Sequence, residues 1–174
     1  MNQRFRRAVE WLSAAAPDPV ACAWRWHHNE MGTELLPAGR LWDVFMLPVQ
    51  PGLLVLGALL HGPRKPGPVL ADFDREQVGF FVPPQAMTFR VGAGSRLAGR
   101  GTWIVVPRPG HRVHGIQWLL PPDGEGTLNE PGALEAALHA TAALTGDTAA
   151  DDNRYHRRGG GARAVATLPP SGVH

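Results

Sequence analysis

Residues 3–16 place Phe5, Val9, Leu12 and Ala16 along one side of a helix, with Arg4, Arg7 and Glu10 largely elsewhere. Pro17 and Pro19 are read as the end of that helix. The stretch Ala21–Pro37 sets Trp24 and Trp26 among polar residues with neither a helical nor a strand period, and is read as extended or irregular. Leu41–Pro48 is rich in apolar, β-compatible residues and closes on a proline, the pattern of a buried strand. A helix follows, with Pro51 in its first turn, Leu53–Leu60 almost entirely apolar, and Gly62 as a left-handed C-terminal cap. Apolar nearly all round, it is expected to be deeply packed.

Val69–Ala71 and Val78–Val82 read as two strands of a hairpin joined by the acidic loop Asp72–Glu76. Thr102–Val106, bracketed by Gly101 and Pro107, and Gly115–Leu120, closed by Pro121, supply two more strands. The final element is a helix from Glu130 to Thr145, with Asn129 as N-cap, Pro131 in the first turn, Gly146 past the end, and Leu134, Ala137, Leu138 and Ala142 as its apolar face. Residues 147–174 are polar, glycine-rich and unpatterned, and read as a flexible, disordered tail. Together these elements predict one α/β domain over residues 1–146, a small mixed or mainly antiparallel sheet flanked by helices.

Composition refines this picture in three places. The 174 residues allow one domain with a real core but not two comfortable ones. The 17 basic residues include a single lysine, Lys65, a skew that with abundant Ala, Gly and Pro matches the codon usage of a high-GC bacterium. The one cysteine, Cys22, excludes an intramolecular disulfide or a cysteine-rich metal site and fits a reducing cytoplasm. Arg4, Arg6 and Arg7 followed by Pro19-Val20-Ala21-Cys22 superficially resemble an export signal. Glu10, Ser13, Pro17 and Asp18 interrupt the apolar stretch, so neither export nor a membrane span is expected.

The strongest local signal is a charge asymmetry. No acidic residue lies between Glu76 and Asp123, whereas Arg90, Arg96, Arg100, Arg108 and Arg112 all do. Guanidinium forks match phosphate oxygens, and the glycines at 92, 94, 99 and 101 would admit an anion close to the backbone. The competing reading is a solvated, turn-rich surface; no Walker loop or dinucleotide fingerprint accompanies the arginines. Of six tryptophans, Trp42, Trp103 and Trp118 lie in or beside predicted strands and are expected in the core. Trp24 and Trp26 are the candidates for a contact surface, stacking on bases or meeting a protein partner.

Other chemistries leave weaker marks. His27, His28, Glu30 and Cys22 crowd one segment, and His111 with His114 forms an H-x-x-H pair, but no recognised metal-ligand spacing follows, and no metal or other cofactor is expected. Cys22 between Ala21 and Ala23 reads as a small buried apolar residue rather than a nucleophile activated by His27 or His28. Ser13, Ser95 and Ser171 sit in no nucleophile elbow. Asp72, Asp74 and Glu76 supply too few oxygens at defined positions for a calcium loop.

Three segments, in order, resemble the N-terminal domain of bifunctional DNA primase/polymerases, the primase–polymerase branch of the archaeo-eukaryotic primase fold. WDVFMLPVQPGLLVLGALL within Leu41–Leu60 is similar to that family's strand and glycine-marked helix. VGFFVP at Val78–Pro83 is similar to its strand ending in Val-Pro, and GRGTWIVVPRPGHRVHGIQWL at Gly99–Leu119 to its glycine turn, aromatic-led strand and following Trp-Leu strand. The resemblance covers residues 37–145 and extends to short stand-alone forms of the domain. It implies a site of two first-strand carboxylates, a histidine and a later aspartate, the carboxylates holding two metal ions for nucleotidyl transfer. Here those positions fall on about Met46 and Pro48, near Gln77, and near Arg96. Acidic residues are absent from Val44 to Ala71 and from Gln77 to Pro122, so only Asp43 is near enough to be promoted, and no catalytic residue carries over.

The resemblance and the arginines together predict a catalytically inactive primase–polymerase-like domain that binds single-stranded nucleic acid, a nucleotide or another polyanion. Two further readings remain open at this point. One is a protein-interaction module acting through Trp24/Trp26 or the tail; the other is an enzyme of an unrelated class using His27, His28 or His111 in a repurposed cleft.

Overall fold

The computed structural model describes residues 3–29, 32–87 and 94–143. Met1–Thr141 forms one compact unit. It contains α1 (Gln3–Ser13), α2 (Pro19–His28), β1 (Thr33–Pro37), β2 (Asp43–Pro48), α3 (Val49–His61), β3 (Val69–Asp72), β4 (Gln77–Val82), β5 (Arg96–Ala98), β6 (Trp103–Pro107), β7 (Arg112–Val113) and β8 (Ile116–Leu120). A last helix, α4, covers 131–143 among the described residues. The tail at 147–174 lies outside the described residues.

The class is α/β, with two fully antiparallel sheets. Six strands run in the order β5-β2-β4-β3-β8-β7, and β1 pairs with β6 as a separate ribbon. Because β2 and β3 each pair antiparallel with β4, they run parallel to one another with β4 inserted between them, a split β-α-β unit whose crossover is α3.

Strand alternation sends the apolar side chains of the large sheet to two cores. On one face, Val44, Leu70, Phe81 and Ala98 meet Val9 and Leu12 of α1, Cys22 and Trp26 of α2, and Leu36, Ile104 and Val106 of the ribbon. Phe81 sits between Trp42 and Trp118, with ring centroids 4.7 and 5.4 Å away, contacts worth about 0.5–1.5 kcal/mol each beyond their burial. On the other face, Phe45, Leu47, Val69, Val78, Phe80 and Val82 meet Val55, Leu56 and Leu59 of α3 and Leu134, Ala137 and Leu138 of α4. Gly52 lets α3 approach the sheet closely, since a Cβ there would lie 2.8 Å from Val78 Cβ.

Four local expectations require correction. The first helix stops at Ser13, and Pro19, instead of ending it, occupies the first turn of α2, where the Asp18 carboxylate accepts a hydrogen bond of 2.9 Å from the Ala21 amide. The stretch from Ala21 is therefore helical as far as His28 and then forms β1, instead of being irregular. Gly62 follows α3 with an extended backbone, φ −73°, so it is not a left-handed cap. The packing of α3 is one-sided, with Leu53, Leu54 and Leu60 exposed, because the sheet covers only the arc holding Gly52, Val55, Leu56 and Leu59.

The loops are tied by two buried polar side chains. Asp123 accepts hydrogen bonds from Lys65 Nζ (2.7 Å), Thr127 Oγ1 (2.6 Å) and the Glu125 amide (2.9 Å). Burial alone would raise the Asp123 pKa, but these donors outweigh it and hold the carboxyl well below its ordinary range. Asn129, expected as a cap for the last helix, instead spends its side chain on tertiary bonds. Its Oδ1 accepts from the Gly67 amide, and its Nδ2 donates to the Pro68 and Phe81 carbonyls, each at 3.0 Å.

Removing the Asn129 side-chain amide would leave the buried Gly67 N–H without its acceptor, while the Pro68 and Phe81 carbonyls keep the Phe81 and Asn129 backbone amides, so Asn129→Ala should lower stability by about 1–3 kcal/mol. Urea unfolding monitored by tryptophan fluorescence measures it; a loss below about 0.5 kcal/mol would show that water replaces the side chain.

Candidate nucleic-acid interface

The positions marked by the primase–polymerase resemblance come together on one face of the sheet. In the register of β2, Met46 lies opposite Gly79 of β4 on one side and Arg96 of β5 on the other, and Pro48 lies opposite Gln77. Arg96 Nη2 donates to Gln77 Oε1 at 3.2 Å. Cross-strand partners share a face, so these side chains project together toward the ribbon.

Met46, Gln77 and Arg96 line a cleft of about 70 Å³ between this face and β6, together with Asp72, Arg75 and Trp103. Val44 and Met46 pack down over Gly79 at its floor, since a Cβ there would lie 2.7 Å from Val44 Cγ1 and 2.8 Å from the Met46 sulfur. Asp72 is the cleft's carboxylate, and it is already engaged: Oδ1 accepts from the Arg75 amide at 3.1 Å and Oδ2 from Arg75 Nη1 at 3.3 Å. The Asp72–Glu76 loop is thus a turn braced by its first carboxylate. Asp43 cannot join the cleft. It alternates to the opposite face with Phe45 and Leu47, is buried, and accepts a 2.8 Å hydrogen bond from the Gln85 amide.

The arginine window does not assemble into one face. Arg96 and Arg112 sit on the two opposite edge strands, five interstrand steps or about 24 Å apart. Arg100 is exposed in the turn between β5 and β6. Arg108 is corrected from a phosphate contact to an internal cation. It is only 6% exposed, and its guanidinium stacks 4.7 Å from the centroid of the Phe5 ring. Arg90 lies outside the described residues. The window is also free of acid in sequence only, since Asp72 borders the cleft beside Arg96.

The tryptophans divide differently from the expectation. Trp24 is 59% exposed and stacks on His28 at 4.1 Å, whereas Trp26 is fully buried and is withdrawn from the contact surface. On a helix, residues two apart point to nearly opposite sides, so the two rings cannot share a surface. Trp103, expected in the core, is 52% exposed on the cleft rim, because β6 belongs to a two-stranded ribbon covered on one side. Its aromatic-led position in the strand was the sequence signal available for it.

The remaining chemistries find no constellation. Among the described residues, no three His, Cys, Asp or Glu side chains converge on a point that would hold a metal ion. His27 and His28 end α2, and His111 and His114 lie in the turns flanking β7. No described helix is long and apolar enough to cross a membrane. No family model, curated protein or solved structure matches the chain.

Cys22 is fully buried, and burial, followed by the negative charge of Glu34, pushes its thiol up to about 11. The thiol therefore stays protonated at neutral pH and is sterically closed. Iodoacetamide at pH 8 should label it at less than about 1% of the rate of a free cysteine, and full labelling should appear in denaturant. Rapid labelling of the folded protein would return Cys22 to the list of nucleophiles.

Proposed function

We propose that this chain is a catalytically inactive primase–polymerase-like domain, acting in the cytoplasm, whose cleft binds a phosphate of single-stranded nucleic acid or of a nucleotide. The observation that carries the reading is the convergence of Met46, Pro48, Gln77 and Arg96 on adjacent strands, with Arg96 bonded to Gln77. Positions that in the resembled family gather carboxylates around cations gather here around a guanidinium, which repels a divalent cation and attracts an anion.

The size of the cleft limits what enters. About 70 Å³ accepts a phosphate group but not a whole nucleotide, so base and sugar would remain at the rim. The exposed face of Trp103 is the stacking platform there, and because Asp72 pairs with Arg75, Arg96 is the cation offered to the phosphate. The polyanion contact is thus reduced from an arginine-rich face to Arg96 in a cleft with one aromatic at its rim, the footprint of a few nucleotides.

Fluorescence anisotropy with oligo-dT of about 20 nucleotides at low salt tests this reading. Binding should weaken as salt rises, and Arg96→Ala should lower the salt slope by about 1. Trp103→Ala should cost about 1–3 kcal/mol, and no primer extension should occur with Mg²⁺ or Mn²⁺. Absence of binding at low salt, or binding indifferent to Arg96, sinks the reading.

A protein-interaction role is favoured by one separate observation. Val20, Trp24 and His28 recur every four residues on α2, and Val20 and Trp24 are 80% and 59% exposed. Under that reading a Trp24→Ala variant loses a partner protein while Arg96→Ala keeps it.

A further inference from the structure

The ladder between β1 and β6 fixes the direction in which the main chain of β6 points. Its register, continued at both ends, sets Ala38 opposite Thr102 and Gly32 opposite Arg108. Both pairs are hydrogen-bonded, the Ala38 amide donating to the Thr102 carbonyl and the Arg108 amide to the Gly32 carbonyl. Bonded and non-bonded pairs alternate along an antiparallel ladder. Leu36 with Ile104 and Glu34 with Val106 are therefore bonded pairs, whereas Pro37 with Trp103, Leu35 with Val105 and Thr33 with Pro107 are not. The prolines agree, since Pro37 and Pro107 stand where the ladder asks for no N–H. The N–H and C=O groups of Trp103 and Val105 thus point away from β1.

That outer edge faces the cleft. β6 has no second strand partner, and farther along the same edge the Pro107 carbonyl accepts a 3.1 Å bond from Trp118 Nε1 on β8. The edge therefore looks across the large sheet. Thr102–Val105 lines the cleft as a continuous run, which alternating side chains alone would not produce. Among the described residues no main-chain bond satisfies the Trp103 or Val105 edge groups. Each of these residues offers a donor and an acceptor side by side.

We infer that this edge reads the ribose 2′-hydroxyl, so that the strand held by the cleft is RNA. The inference rests on the proposed binding of a nucleic-acid phosphate at Arg96. A phosphate oxygen only accepts, and a deoxyribose carbon does neither, so both would leave edge groups without a partner. A hydroxyl donates and accepts, and completes the pair that one residue presents. The 2′-hydroxyl is the group that every ribonucleotide within a chain keeps, and it sits on the sugar, between the phosphate at Arg96 and the base on Trp103. The usual occupant of a free strand edge, an added peptide strand, is excluded by size, because about 70 Å³ is too little for a peptide segment.

Fluorescence anisotropy of the full chain at low salt, with oligo-rU, oligo-dU and 2′-O-methyl oligo-U of equal length, tests the inference. Oligo-rU should bind about 3–10-fold more tightly than oligo-dU, the net worth of one completed hydrogen-bonded pair. The 2′-O-methyl chain cannot donate, and should bind no better than oligo-dU. Trp103→Pro and Val105→Pro each delete one edge N–H and no ladder bond, and at least one of them should abolish the preference for rU. Loss of the Trp103 ring weakens both chains alike, so the ratio of the two affinities isolates the edge. Circular dichroism checks that the variants fold, and the 2′-O-methyl comparison on the wild type decides without them. Binding of rU equal to or weaker than dU, with both lost in Arg96→Ala, overturns the inference and leaves the cleft reading standing. Binding of neither chain overturns both. A preference for rU that the 2′-O-methyl chain retains, or that is unchanged in both folded proline variants, also overturns the inference.

Discussion

The pairing of β2 with β4 is the constraint on which the other layers depend. Its register runs without a break from Asp43 opposite Val82 to Pro48 opposite Gln77, and both strands are covered on both faces. Alternation along this one ladder assigns Val44, Met46, Gly79 and Phe81 to the side of α1, α2 and the ribbon. It assigns Phe45, Leu47, Val78, Phe80 and Val82 to the side of α3 and α4. A slip of one residue would exchange the two sets and turn the buried Asp43 toward the cleft, so both cores and the cleft are fixed by the same hydrogen bonds.

Elements with a strong period were legible in the sequence. β2, α3, the β3–β4 hairpin, β6, β8 and the last helix all follow runs whose period and flanking prolines or glycines agree. Helix α2 was missed because it is a single short amphipathic segment, although Asp18-Pro19 is a helix-start signal with a mechanism. Asn129 was read locally as a cap, whereas its bonds to Gly67, Pro68 and Phe81 span more than forty residues of sequence and leave no local trace.

The candidate site divides along the same line. Arg96, Arg108 and Arg112 are near one another in sequence, but β5 joins the far edge of the sheet, beside β2, while β7 joins the other edge through β8. Sequence proximity therefore misled, and only Arg96 reaches the cleft. Met46, Gln77 and Arg96 are dispersed over fifty residues and meet because β2 lies between β4 and β5. No spacing rule connects them, so their juxtaposition is not legible in the order of the residues alone. The exposed side of α3 was hidden for a different reason: an apolar run reports that a helix avoids water, not how many neighbours the fold supplies to cover it.

The bond between Arg96 and Gln77 has a consequence for how this sequence can change. A carboxylate arising at position 46 would lie directly across from the Arg96 guanidinium and would be neutralised there as an ion pair. A second carboxylate at 48 would meet the same local field. Two acids and the loss of the arginine would all be needed before a cation found a vacancy, and each intermediate would satisfy the charges internally. Single substitutions therefore leave the charges of this cleft paired internally, and at least three changes separate the present arrangement from one that could hold a cation.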